Sequence, residues 1–274
     1  MNNYSPIGFR MMPPVVKNLL IINLLMYIGT WLCETKFGIE LTQYLGLYYP
    51  GSEWFKPYQL FTHLFMHANF MHIFSNMFAL WMFGTAIENI WGSKRFLFYY
   101  LFTGLGAAGL HMLISWWRIT DLHTAVIAYQ NTPSPQAFAS LVQGYIPEFQ
   151  PQVSDFVYNW LKDINNGDYS LFANKIITEK LNLMINMPTV GASGAVFGIL
   201  LAFGMLFPNA MIYLYFFFPL KAKYFVILYG FFELYSGVMN QPGDNIAHFA
   251  HIGGMLFGII LILYWKKHQF KKFN

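Results

Sequence analysis

Residues 247–265 read AHFAHIGGMLFGIILILYW, with no Lys, Arg, Asp or Glu until Lys266 and Lys267 end the run. A hydrocarbon core about 30 Å thick takes roughly 20 mainly apolar residues in a helix, so this stretch is expected to cross a membrane. Its two histidines are the anomaly, because ionisable side chains are costly in hydrocarbon and tend to mark a site. Five more apolar stretches surround it, near 15–33, 69–88, 96–116, 191–208 and 224–240, and the quoted run belongs to a sixth, 246–265. The whole chain of 274 residues is 56% hydrophobic, 20% aromatic and only 10% charged. Soluble domains carry about a quarter charged residues, so an ordinary soluble fold is excluded. The expected class is an all-α polytopic membrane protein, a bundle of six transmembrane helices.

An even number of spans puts both termini on one side. Ten of the 16 Lys and Arg fall there: Arg10, Lys17, Lys94, Arg95, Lys221, Lys223, Lys266, Lys267, Lys271 and Lys272. The positive-inside rule makes that side cytoplasmic. The expected location is thus a cell membrane, plasma or bacterial inner, with multiple passes. A formal net charge of +4 is too small for a nucleic-acid surface, and the lone Cys33 allows no internal disulfide. Val15 to Leu32 is too long for a cleaved signal and reads as a signal anchor.

The chain divides into a membrane core at 1–117 (helices 1–3 and an outer-face loop, 34–68), an insertion at 118–187, and a second core part at 188–274 (helices 4–6 and a basic tail). The insertion holds more acids than bases. Ser134-Pro135 has the form of a helix start. Phe156, Val157, Trp160, Leu161 and Ile164 recur with helical period, so short amphipathic helices outside the cytoplasm are expected. Met211 to Leu220 is apolar but too short to span, and is expected at the cytoplasmic interface.

Three polar motifs interrupt the apolar spans: His72-x-x-x-Asn76, Gly191-Ala192-Ser193-Gly194 and Ala247-His248-x-x-His251. Ser193 opens its span, where free N–H groups and the helix dipole favour negative charge. Gly191 and Gly194 leave room for a carbonyl there, although small residues in membrane helices serve packing as readily. His251 lies about five residues into its span. Gly194 with Gly198, and Gly254 with Gly258, form two small-xxx-small faces that would let these helices touch and bring Ser193 to His251. His72 and Asn76 share one helix face. They would either clamp helices together or, with the Ser193 N–H, stabilise an oxyanion. Glu233 is an intramembrane carboxylate that either touches this site or bonds locally.

His72-x-x-x-Asn76, Gly191-Ala192-Ser193-Gly194 and Ala250-His251-x-x-Gly254, in this order and on separate helices, resemble the motifs of the rhomboid family of intramembrane serine proteases. Gly84-x-x-x-Glu88, Gly92 and Arg95 resemble that family's turn between its second and third helices. The resemblance covers the six-helix core and not the 118–187 insertion. It implies a Ser193–His251 dyad without an acidic third member, and an oxyanion site from His72, Asn76 and the Ser193 backbone in the turn of Gly191 and Ala192. It also implies no cofactor and no metal, with transmembrane proteins as substrates in a lipid bilayer. Span five and the loop after it, around Met239 to Asn245, match the family's gate and cap. Phe197 stands where some members carry a tyrosine against the catalytic ring. His248, one turn from His251, is the rival base, and His67 matches a further family histidine.

A catalytically silent relative that binds membrane helices is the alternative. A metal site built on His63, His67, His72, His248 and His251 is disfavoured, because no membrane carboxylate or thiolate completes an evident ligand set and no metalloprotease His-Glu-x-x-His is present. An aspartyl protease needs membrane aspartates, and the six spans contain none. The sequence leaves the oligomeric state open.

Overall fold

Helix ends favour proline just inside the start and glycine just past the finish. In the computed structural model, which describes residues 12–146, 149–214, 218–239 and 247–270, α1 (Pro14–Phe37) has both, and Gly38 closes it at a left-handed φ of 65°. The first N–H groups of a helix lack intrahelical partners. For α1 they are satisfied from 72 residues away: Glu88 accepts from the Val15 and Val16 amides at 3.0 and 2.8 Å, and from Ser93 Oγ at 2.6 Å.

After α2 (Leu41–Leu45) the loop is organised by Gln59, fully buried at the start of α3 (Gln59–Thr62). Its amide accepts from Lys56 N and donates to the Tyr44 and Trp54 carbonyls. Asn69 caps α4 (Phe70–Ala79) by accepting from His72 N. A π turn at Leu80–Gly84 carries that helix on into α5 (Thr85–Trp91). Gly92, at φ 77°, turns the chain into α6 (Ser93–Asn131).

At about 1.5 Å per residue the 39 residues of α6 reach roughly 58 Å, nearly twice the hydrocarbon thickness. A helix ending near 116 was expected. No Gly or Pro occurs from Leu110 to Asn131 to break it, and it runs on. Its far end packs with α7 (Pro135–Tyr145), α8 (Gln150–Lys162) and α9 (Gly167–Asn186) around Phe138, Val142, Trp160, Ala173 and Ile177. Ser134 caps α7 by accepting from Ala137 N, with Pro135 following as the dipeptide predicts.

Four described helices are long and apolar enough to cross a membrane: Pro14–Phe37, Phe70–Trp91, Ser93–Asn131 and His248–His268. α10 (Ser193–Leu206) has 14 residues, short for a span, yet it is buried over Gly194–Ala202 and packs mainly against α6 and α12 (His248–Phe270). A helix surrounded by protein has no lipid to match. Between α10 and α11 (Ala222–Met239), the expected interfacial segment is an antiparallel hairpin of β1 (Met211–Leu214) and β2 (Phe218–Lys221). Aromatic and β-branched residues such as Ile212, Tyr213 and Phe218 favour extended chain over one short helix. α11 meets the bundle along one stripe, where Ala222, Val226, Glu233 and Gly237 are buried. Ile227, Phe231, Phe232 and Val238 stay more than half exposed on its other faces.

Candidate active site

The turn before α10 is fixed by backbone pairing. Leu47 and Thr189 exchange both hydrogen bonds, at 2.9 and 2.8 Å, and Gly191 N donates to the His63 carbonyl at 2.9 Å. Gly191 takes a φ of 123°, which side chains rarely adopt, and a Cβ there would press on the His72 imidazole. Ala192 is fully buried and Ser193 begins α10.

Ser193 Oγ lies 2.8 Å from His251 Nε2. The predicted closeness of the two helices arises partly as expected: a Cβ on Gly254 would overlap the Gly194 carbonyl. The other two glycines of the expected pairs face α6 instead. Gly198 abuts Thr103, and Gly258 abuts the Tyr99 hydroxyl, which donates to the Gly198 carbonyl at 2.8 Å. The seam thus joins three helices, because α6 lies along the α10–α12 contact from Ala107, beside Gly194 and Gly253, to Tyr99, beside Gly258. Phe197 stacks on the His251 ring, with centroids 4.1 Å apart and planes 7° from parallel.

His72 and Asn76 lie one turn apart on α4, and the His72 imidazole abuts Gly191. Asn76 is 5% exposed, and its amide nitrogen has no hydrogen-bond acceptor among the described residues. An unsatisfied buried donor is costly and calls for a purpose. His67 packs edge-on to His72 with centroids 5.0 Å apart. His111, not singled out in the sequence, bonds Thr189 Oγ1 at 2.9 Å. Only its place in a polar-poor helix could have drawn notice.

The largest departure concerns Glu233. The resemblance implied no acidic partner for His251, but Glu233 Oε2 lies 2.7 Å from His251 Nδ1 and 2.6 Å from His248 Nδ1. All three residues are under a tenth exposed. Their clustering also has the makeup of a metal site. Tetrahedral zinc, at about 2.0–2.2 Å from each ligand, holds ligand atoms roughly 3.3–3.6 Å apart. Contacts of 2.6 and 2.7 Å fit a proton between the atoms better. The gate-and-cap expectation at 240–245 lies outside the described residues.

A family model for the rhomboid domain matches residues 55–118 and 167–268. A mitochondrial RHOMBOID-like protein 12 from Arabidopsis thaliana is 27% identical over 77% of this chain and 47% of its own length. A chloroplastic Rhomboid-like protein 11 from the same plant is 37% identical over 34% of this chain and 31% of its own length. Rhomboid protease GluP of Bacillus subtilis is 42% identical over 20% of this chain and 10% of its own. The matched part thus spans less than half the length of each of these relatives. The expected plasma or bacterial inner membrane is overturned by these names. Of these relatives, the one matched over 77% of the chain is mitochondrial and another is chloroplastic, which points to an organellar membrane.

Proposed function

The chain belongs to the rhomboid family, and on that premise we propose that it is an intramembrane serine endopeptidase of an organellar membrane, cutting other membrane proteins in or near their transmembrane helices. The observation that carries this is the 2.8 Å contact between Ser193 Oγ and His251 Nε2 at the start of a buried helix. His251 Nε2 takes the hydroxyl proton as Oγ attacks the scissile carbonyl carbon, and the carbonyl oxygen becomes an oxyanion. The unpartnered Asn76 amide, His72 and the Ser193 N–H are the donors that would receive that charge. The C–N bond then breaks, and the leaving amine takes the proton from His251. Water, deprotonated by the same ring, hydrolyses the acyl-serine and restores the hydroxyl. No cofactor enters these steps.

In this reading the six spans are α1, α4 with α5, α6, α10, α11 and α12, and the site opens to the side where α7–α9 gather. Support comes from α9 leading straight into the Thr189–Ser193 turn, and from Ser52 Oγ bonding Asn186 Oδ1 at 2.7 Å. The helical module at 118–187 then stands beside the substrate entry. The test is labelling by a fluorophosphonate probe, with Ser193→Ala alongside. Labelling and cleavage by the wild type, both abolished in the variant, are expected. Equal labelling of the two, or no cleavage by the wild type, would leave a silent helix-binding relative.

A further inference from the structure

We propose that Glu233 is the third member of the catalytic set, a Ser193–His251–Glu233 triad whose carboxylate is held by a second histidine, His248. This rests on the endopeptidase reading above. A base that accepts the Ser193 proton needs a lone pair on Nε2, so its resting proton must sit on Nδ1. Glu233 Oε2, at 2.7 Å, accepts that Nδ1–H from the opposite edge of the ring. His251 thus lies between hydroxyl and carboxylate, bonded to each through a different nitrogen.

Burial makes the carboxylate more than a steric guide. His251 is 8% exposed and Glu233 3%. When His251 takes the proton it becomes an imidazolium, and a buried cation without a counter-charge is strongly disfavoured. Glu233 supplies the negative charge at contact distance. His248 Nδ1–H donates to the same oxygen at 2.6 Å. That second bond holds the carboxylate in place against the imidazolium until the amine leaves. Glu233 is a positioning residue by this account, because it reaches the reacting atoms only through the imidazole.

The carboxylate comes from α11, whose buried stripe against the bundle is Ala222, Val226, Glu233 and Gly237. The triad is therefore complete only while that stripe is docked. Any opening for substrate must leave Glu233 seated or must reseat it before chemistry.

The test uses the full chain in lipid with a fluorogenic transmembrane substrate. Glu233→Gln keeps the shape and removes the charge. Its kcat is expected to fall about 10²–10⁴-fold with KM within about twofold, as loss of a triad acid affects turnover. Glu233→Asp, which restores the charge on a shorter arm, is expected to recover at least about tenfold over Gln. A role in packing alone would not rank Asp above the isosteric Gln. In parallel, ¹⁵N-histidine spectra of the wild type are expected to give His251 as the Nδ1–H tautomer. A Glu233→Gln kcat within about threefold of an active wild type, or the Nε2–H tautomer in the wild type, overturns the triad and leaves the Ser193–His251 reading standing. An inactive wild type overturns that reading and the triad with it.

Discussion

Phe197 lies flat against His251, 4.1 Å between centroids and 7° from parallel. One helical turn into α10, it fixes the plane of the ring whose two edges meet Ser193 and Glu233. Phe197→Ala opens a cavity beside the imidazole, costing about 3–5 kcal/mol in a packed interior. It also lets the ring swing out of line. Expected is a lower unfolding temperature with kcat down at least about tenfold. Phe197→Tyr keeps the stacked face and is expected to stay within about threefold of wild type. Equal losses in both variants, by steady-state kinetics, would remove ring stacking as the reason.

Asn76, one turn from His72 on α4, is buried with an amide nitrogen that has no partner among the described residues. Loss of one oxyanion donor typically costs 10²–10³ in turnover. Asn76→Ala and His72→Ala are each expected to lower kcat by roughly that factor, while KM stays near wild type. A variant turning over at the wild-type rate would have no part in holding the oxyanion.

Glu88 joins three elements, accepting from two amides at the start of α1 and from Ser93 at the start of α6. It is 2% exposed and lies 16 residues beyond His72 along the continuous helix of α4 and α5. Glu88→Ala leaves buried donors unsatisfied, at about 1–3 kcal/mol for each affected group. The expected result is a clear drop in unfolding temperature with unchanged kcat for the folded fraction. Ser93→Ala removes one bond and is expected to lower it less.

The site's main residues were legible because each has a local signature. Ser193 follows a glycine turn at a helix start, His251 interrupts an apolar run, and His72 and Asn76 stand four apart. Glu233 has no such flag: its role depends on the rotation of α11 about its own axis. A cue does exist in the spacing, since Ala222, Val226, Gly230 and Gly237 are small and share the face that carries Glu233. The glycine seam was half legible. Spacing identifies which glycines can admit a neighbour but not which neighbour arrives, and α6 took the places at Gly198 and Gly258. The length of α6 was hidden by Arg118 and Asp121, which end the apolar run without ending the helix.

Gly254 sets the separation of α10 and α12. Its missing Cβ would occupy the space of the Gly194 carbonyl, one residue from Ser193. Backbone cannot yield as a flexible side chain can, so Gly254→Ala must push the helices apart. Ser193 and His251 would then leave their 2.8 Å contact. Expected is loss of fluorophosphonate labelling in protein that remains helical by circular dichroism. Gly258→Ala meets the Tyr99 hydroxyl and Leu201 instead. It is expected to destabilise the protein while its folded fraction still labels.

The Glu233, His248 and His251 cluster also yields an expectation about cations. Its donor atoms are spaced for shared protons, and a metal on His251 Nδ1 would force the proton onto Nε2, the atom that must accept from Ser193. Chelation is therefore expected to leave cleavage unchanged, whereas added zinc ions, by competing for the three ligands, should inhibit. Glu233→Asp and His248→Gln, each altering one ligand, should raise the inhibitory zinc concentration for whatever activity they retain. Cleavage lost on treatment with EDTA and regained with zinc would mean that the cluster holds a working metal, and the proton-sharing account of Glu233 would fall.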